Sequence, residues 1–204
     1  MELEIMDQNV ERLLNLINQL LDFRKAENKG FKLNPKEYNI GTIVHSVYKY
    51  FTTLAKQRGI KFEVEVPEEE LLASVDKEAL TKILSNLFAN ALKYARTYVY
   101  LHLSVDEKNE VFTISMSNDG NIVPIEMREN IFKAFVQYRD GKDIVSGTGI
   151  GLAMARYLAE LHQGMLVMDR ELDCNRFILS IPILHQTLPD DSEEQHKKPG
   201  YDDE

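Results

Sequence analysis

The stretch GTGIGLAMARYLAELHQG, residues 147–164, constrains this chain more than any other segment. Its three glycines stand directly before a pattern typical of a helix, and a glycine cluster at such a place indicates that the backbone itself has a task. The first amides of a helix lack intrahelical partners and carry the positive end of the dipole, and glycines let a bulky anion approach them. The stretch predicts a phosphate site; the alternative is a flexible loop with a helix cap.

Two common phosphate loops do not fit this stretch. A P-loop ends in Gly-Lys followed by Ser or Thr, whereas the Gly-Lys pair of this chain, at 141–142, is followed by Asp143. A Rossmann fingerprint requires GxGxxG after a buried strand, whereas the spacing here is GxGxG and the preceding YRDGKDIVS is polar. A phosphate loop at this position therefore belongs to another kind of fold.

The composition excludes several classes of protein. Hydrophobic residues make up 44% and charged residues 28% of the 204 residues, with a net charge of −9, so an ordinary globular chain is expected and a nucleic-acid binder is not. The single cysteine, Cys174, cannot form an internal disulfide, and there is no zinc-type spacing. Without a signal peptide or a bilayer-length apolar run, the chain is expected to be soluble.

Three parts are predicted along the chain. Residues 1–30 contain one helix, over about 4–29, whose apolar residues follow a three-four spacing and call for a partner helix. Residues 31–184 form an α/β (α+β) domain. Residues 185–204 are an acidic tail whose composition predicts disorder.

The middle part alternates strands and helices in a way that predicts its layers. Asp76 is a good N-cap for a long helix that ends near Ala95, and a second helix is expected over roughly 40–58. The predicted strands cluster in hairpins, so we expect a two-layer sandwich with a mixed sheet covered on one face by helices. They are FKLNPKEYNI, IKFEVEV, LLASV, TYVYLHLSV, EVFTISMS, GMLVMDREL and NRFILSIPI.

The long helix aligns polar residues on the side opposite its apolar stripe. Asn86, Asn90 and Lys93 stand at i, i+4 and i+7, which places them within a stripe roughly 60° wide. Amide oxygens are hard ligands that suit Mg²⁺, and lysine suits phosphate as a point charge. A solvated helix face is the alternative, but two asparagines in one mid-helix stripe need a reason.

Four motifs in series resemble those of sensor histidine kinases. NLFANALKY resembles their N box, NDGNIVP their adenine-reading loop, IFKAF their F box and GTGIGLAMARYLAELHQG their second glycine box. The resemblance covers roughly residues 36–184 and implies a Bergerat-type ATP-binding fold of the GHKL superfamily. The leading helix resembles the second helix of the dimerisation hairpin in hybrid two-component sensors.

The resemblance implies roles for single residues toward ATP and Mg²⁺. Asn90 would coordinate the Mg²⁺ that bridges the ATP phosphates, with Asn86 assisting, Lys93 meeting phosphate oxygens and Tyr94 packing beside adenine. The second glycine box would offer backbone amides to the triphosphate. The implied ATP-binding residues of that box, of the lid over 137–146 and of the F box are Gly147, Thr148, Gly149, Gly151, Leu152, Arg139, Lys142, Phe132 and Phe135. For the two phenylalanines, a plain core role is an equal alternative.

The adenine-reading loop departs from the D-x-G-x-G pattern of the family. Aligned without gaps, the acid is replaced by Asn118 and the second glycine by Ile122, while Gly120 is kept. Asn118 can accept from the adenine 6-amino group through its amide oxygen. A shift of one residue would put Asp119 there instead, so both neighbours stay candidates.

The acceptor histidine is the second departure. Histidine kinases phosphorylate their own histidine in an HE-type motif on the first hairpin helix, and none of the five histidines here lies in such a motif. We therefore expect that helix upstream of Met1. The resemblance further implies a cytoplasmic domain of a homodimeric parent anchored in the inner membrane. Its implied partners are its own hairpin and a response-regulator receiver domain.

Two rival functions are retained. A GHKL-type ATPase of the gyrase kind needs a glutamate one turn before the magnesium asparagine, and Asn86, which stands there, is a poor base. A nucleotide-binding regulatory module without kinase activity is the second rival, and the changes at Asn118 and Ile122 leave it open.

Overall fold

A computed structural model describes residues 32–138, 148–169 and 173–184, together with Val10, Ile17 and Leu21. The predicted leading helix is thus described only at those three residues, which are helical and exposed. The predicted tail over 185–204 lies outside the described residues, and so do three predicted site residues, Arg139, Lys142 and Gly147.

The central sheet has five strands, and hydrogen bonding orders them β2-β4-β5-β7-β6. The first pair is parallel and the other three pairs are antiparallel, so the sheet is mixed, as predicted. Apolar side chains alternate along the strands, which turns one face of the sheet to the core. The strands are β2 Lys61–Glu65, β4 Tyr98–Asp106, β5 Val111–Asn118, β6 Met165–Met168 and β7 Asn175–Pro182.

Three helices pack against each other and against this sheet: α1 Ile40–Gln57, α2 Lys77–Tyr94 and α3 Gly151–Leu161. The side chain of Asn39 caps α1 by accepting from Thr42 N–H, and the predicted cap Asp76 holds α2 by accepting from Ala79 N–H. Fully buried leucines and Phe88 of α2 fill the space between the layers. The predicted two-layer sandwich is confirmed.

Two features differ from the sequence-based expectation. The strands β1, Lys36–Asn39, and β3, Leu72–Val75, pair with each other in a separate antiparallel sheet instead of joining the main one. The helix expected at the F box is two short 3-10 turns, Ile125–Met127 and Asn130–Phe132, and Phe135 lies beyond them. In the part of the chain that the structure describes, every helix is too short or too polar to cross a membrane.

Candidate nucleotide-binding site

Helix α2 divides into an apolar and a polar side, as the sequence predicts. Leu80, Leu84 and Leu87 are fully buried, whereas Asn86, Asn90 and Lys93 are half-buried. At the end of the helix, Lys93 Nζ lies 4.7 Å from the centroid of the Tyr94 ring, and Tyr94 is exposed. The helix therefore presents two amides, an ammonium group and an aromatic ring outside the core.

The start of α3 lies against this polar stripe. A methyl group at Gly151 would lie 2.7 Å from Asn86 Oδ1, so a larger residue at 151 would displace the asparagine. Asn86 Nδ2 donates to Lys82 O of the preceding turn at 3.0 Å, which orients the amide oxygen away from its own helix backbone. Two motifs whose contacting residues, Asn86 and Gly151, are 65 positions apart in sequence thus meet in the fold.

The backbone before α3 explains a second glycine. Gly149 has a φ of +72°, and a Cβ at that position would lie 2.8 Å from the backbone of Phe135. Gly149 O accepts from Phe135 N–H at 3.0 Å, so the F box and the glycine box are joined through the backbone. Only glycine combines this positive φ with this close approach.

The first turn of α3 is open to an anion. Its N-cap residue Ile150 makes no side-chain cap hydrogen bond within the described chain, and Ile150 N–H bonds to Thr148 Oγ1 at 3.2 Å. By helix geometry, the amides of Gly151 and Leu152 have no acceptor inside the helix. These amides and the positive end of the dipole are suited to phosphate oxygens.

The loop after β5 is held by the end of α2 on one side and by the start of β7 on the other. A Cβ on Gly120 would lie 2.2 Å from Tyr94 O, so this loop passes directly over the end of α2. Asn118, at the end of β5, is paired in register with Asn175 at the start of β7, and both side chains are buried. Asn175 Oδ1 accepts from Val123 N–H at 3.0 Å.

Asp119 points away from this loop, to the connection between α2 and β4. Its carboxylate accepts from the backbone N–H groups of Arg96, Thr97 and Tyr98 at 2.9–3.2 Å and from the Thr97 hydroxyl. Burial would raise the pKa of Asp119, but these hydrogen bonds outweigh it and hold the pKa below its ordinary value. The carboxylate thus serves as a cap of the α2–β4 connection.

The two phenylalanines of the F box have different environments. Phe132 is 5% exposed and its ring packs edge-on against Phe177 at 6.2 Å, which is a core role. Phe135 is 62% exposed and adopts a positive φ of 66°. The residue therefore stands at the surface, beside the loop that precedes α3.

Sequence reasoning missed two residues that shape this site. Asn175 contacts the Asn118 loop, and Arg128, buried without a charged partner in any described ion pair, donates to Val123 O at 2.9 Å and to Asp169 O. A polar residue at the head of the apolar strand NRFILSIPI was the available signal for Asn175. No local pattern pointed to Arg128, whose partners are distant in sequence.

Of the described histidines, His162 is part of the core. Its Nε2 accepts from Asp76 N–H at 3.1 Å and its Nδ1 bonds to Leu158 O at 2.7 Å. The residue is fully buried. His162 therefore links the end of α3 to the start of α2.

The match to a known family follows the same motifs. Residues 75–185, more than half of the chain, match the family described as histidine kinase-, DNA gyrase B- and HSP90-like ATPase. The chain belongs to this family. Within it, the relatives and the structures compared below are histidine kinases, so the chain carries the ATP-binding domain of sensor histidine kinases and the resemblance to that family is confirmed.

Two relatives show the extent of the likeness in sequence. Histidine kinase P4 of Formosa agariphila is 28% identical over 93% of this chain, and hybrid signal transduction histidine kinase D of Dictyostelium discoideum is 28% identical over 97%. The chain spans only 14% and 13% of the lengths of these two proteins. The likeness therefore concerns one region of much longer proteins.

Two solved structures show the same fold. Full-length ShkA in complex with AMPPNP superimposes with a TM-score of 0.76 at 25% identity, over 86% of this chain and 36% of that one. The histidine kinase ThkA in complex with response regulator protein TrrA gives a TM-score of 0.70 at 21% identity, over 88% of this chain and 49% of that one. The second likeness concerns the fold alone.

Proposed function

We propose that this chain binds Mg·ATP and presents the γ-phosphoryl group to a histidine on a dimerisation hairpin, as in a sensor histidine kinase. The observation that carries the proposal is the contact between Asn86 and Gly151, which brings the polar stripe of α2 against the open first turn of α3. A triphosphate between them meets amides on one side and Asn90 and Lys93 on the other. ShkA, which was crystallised with AMPPNP, has the same fold.

The donor set near α2 fits a magnesium ion that is carried in by the nucleotide. Asn90 supplies one amide oxygen, with Asn86 one turn earlier, and the described residues hold no cluster of three or more His, Cys, Asp or Glu that could bind a metal ion. Mg²⁺ is commonly held by one or two protein oxygens together with phosphates and water. When bound, the ion neutralises charge on the phosphates during transfer.

The nucleotide base is assigned to the loop over 118–123, and to Asn118 in preference to Asp119. The carboxylate of Asp119 is occupied by three backbone N–H groups of the α2–β4 connection. Asn118 is buried where the loop begins and contacts Gly120 and Asn175. Tyr94, whose carbonyl contacts Gly120, stands beside the same loop and supplies a ring for the base.

Catalysis in this arrangement consists of positioning and charge stabilisation. Lys93 and the amides of Gly151 and Leu152 orient the phosphates, and the hairpin brings an imidazole in line with the γ-phosphorus. A receiver domain of a response regulator is the proposed next acceptor, in view of the ThkA–TrrA complex. His162 is excluded as the acceptor because both of its ring nitrogens are bonded inside the core.

Hydrolysis of ATP is the weaker alternative. A water-activating base one turn before Asn90 would have to be Asn86, whose amide cannot take a proton at neutral pH. Its Nδ2 is moreover bonded to Lys82 O, which fixes the group as a structural amide. We therefore expect this chain to hydrolyse ATP slowly.

The substitution Asn90→Ala tests the proposal. Titration calorimetry should show Mg·ATP affinity falling by at least about tenfold, the size of one lost ligand or charged hydrogen bond. The melting temperature should stay within a few degrees, because Asn90 faces away from the apolar stripe. Asn109→Ala, in the β4–β5 turn, is the matched control and should leave affinity unchanged. Unchanged affinity in Asn90→Ala would overturn the assignment.

A further inference from the structure

We propose that the base site of this chain presents a hydrogen-bond donor where an adenine reader presents an acceptor, so that it takes 6-oxopurine nucleotides at least as well as ATP. The proposal rests on the proposed function, in that the loop over 118–123 contacts the base. It concerns the amide of Asn118 and the residue that orients it, Asn175. The ligand class is a purine nucleoside triphosphate with a carbonyl oxygen at position 6.

The orientation of Asn175 is set by two backbone groups of opposite polarity. Its Oδ1 accepts from Val123 N–H at 3.0 Å, and its Nδ2 donates to Asn121 O at 2.9 Å. A backbone N–H only donates and a backbone carbonyl only accepts, so the amide of Asn175 cannot be turned over without losing both bonds. Its Nδ2 is therefore a donor at a known place.

Asn175 Nδ2 and the backbone N–H of Gly120 together fix the orientation of the Asn118 amide. Asn118 Oδ1 accepts from Gly120 N–H at 3.1 Å and lies 3.4 Å from Asn175 Nδ2. Turning the amide of Asn118 over would place its NH₂ group against both of these donors. The oxygen of Asn118 is thus engaged inside the protein, and the nitrogen is the atom left for a ligand.

The nitrogen of Asn118 has no partner of its own among the described residues, although the side chain is only 2% exposed. A buried donor without a partner is unfavourable by an amount comparable to a lost hydrogen bond, so it calls for an acceptor. The surrounding loop is not free to relax around it. Arg128 donates to both Val123 O and Asp169 O and so links the loop to the segment after β6. Gly120 packs closely against Tyr94 O.

The chemistry of the base decides which ligand supplies that acceptor. The 6-amino group of adenine is a donor. It would face the Asn118 NH₂ group, which is also a donor, so no hydrogen bond could form between them. The 6-oxo group of hypoxanthine or guanine is an acceptor and would satisfy it. A carboxylate at 118 would reverse the preference, because it offers acceptors only.

The test compares nucleotides that differ at position 6. The affinities of Mg·ATP and Mg·ITP for the whole chain are measured by titration calorimetry. We expect ITP to bind at least as tightly as ATP. In Asn118→Asp, ATP should be preferred over ITP by about tenfold, the size of one hydrogen bond. Asn109→Ala, an amide in the β4–β5 turn outside the base loop, is the control and should keep the wild-type preference.

Each outcome decides one of the two proposals. If the wild type binds ATP more tightly than ITP, the inference about Asn118 is overturned while the ATP-site proposal stands. If neither nucleotide binds, the proposed function fails and the inference fails with it. If Asn118→Asp does not fold, the wild-type comparison of ATP with ITP decides alone, and an ATP preference overturns the inference. Purine riboside triphosphate, which lacks any group at position 6, is the reference nucleotide in that comparison.

Discussion

Removing the carboxylate of Asp119 should destabilise the domain without weakening nucleotide binding. The carboxylate accepts hydrogen bonds from the backbone N–H groups of Arg96, Thr97 and Tyr98 at 2.9–3.2 Å and so holds the connection between α2 and β4 in place. Asp119→Ala leaves these three amides to water. Because the base contact is assigned to Asn118, the neighbouring residue, this substitution separates the two roles that the sequence left open.

The size of the effect follows from the number and exposure of the bonds. A hydrogen bond to a buried charged group contributes about 1.5–3 kcal/mol. Asp119 is only partly buried, so water screens and replaces part of each bond, and we take about 1 kcal/mol for each of the three amides. A loss of about 2–3 kcal/mol corresponds to a fall in Tm of about 5–10 °C for a domain of this size.

The pH dependence gives an independent check. The folded-state pKa of Asp119 is lowered, because the hydrogen bonds from Thr97, Tyr98 and Arg96 outweigh the effect of burial. Its stabilising contribution is therefore complete above the unfolded pKa of about 3.9 and is lost as pH falls through the lower folded value. The difference in stability between wild type and Asp119→Ala should be equal at pH 7 and pH 5 and shrink below about pH 4.

Urea denaturation and ATP titration measure the two roles separately. We expect a lower free energy of unfolding and an ATP affinity within about threefold of wild type, the margin of a residue that makes no ligand contact. Asp106→Ala is the matched control, since Asp106 caps only the local turn at Lys108 and Asn109 and should cost less. Unchanged stability together with lost ATP affinity would identify Asp119 as the base reader and refute the reasoning.

Three further predictions concern the same domain. Gly149→Ala should lower ATP affinity at least tenfold and reduce stability by at least about 1–2 kcal/mol, because the φ of +72° is unfavourable for alanine and its Cβ would lie 2.8 Å from the Phe135 backbone; calorimetry and urea denaturation measure both. His162→Ala should reduce the free energy of unfolding by about 2–4 kcal/mol, since it leaves Asp76 N–H and Leu158 O without partners. Incubation with γ-labelled ATP should give no acid-labile phosphohistidine on this chain, because none of its five histidines lies in an HE-type motif; a robust label would locate the acceptor among them.

The sequence predicted the layers of the fold because periodicity and capping are local. Asp76 caps α2, and the apolar stripe of that helix is buried, both as its pattern indicates. The pairing of β1 with β3 was not predicted, since it depends on how two short segments 36 residues apart meet. Alternation within LLASV describes the faces of a strand but carries no information about its partner.

The candidate site was predicted as a set of motifs but not as a set of contacts. The stripe on α2 followed from helix geometry, whereas its meeting with Gly151 depends on packing between α2 and α3. The same holds for Asp119, whose role is set by three amides that lie more than 20 residues earlier in the chain. Sequence alone left Asn118 and Asp119 equivalent because adjacent residues differ only in the side to which the backbone turns them.

At the end of β5, the Asp119 carboxylate and the Asn118 amide therefore face different parts of the fold. The chain has an asparagine followed by an aspartate, so its acid lies on the α2–β4 connection, where N–H groups surround it, and its amide lies inside the sheet. The register of β5 with β7 then sets Asn175 opposite Asn118. Asn175 Nδ2 donates to Asn118 Oδ1, which leaves the nitrogen of Asn118 as the donor of that side chain. The base preference that we propose for the site therefore depends on the β5–β7 pair, because Asn175 holds the amide of Asn118 in its orientation.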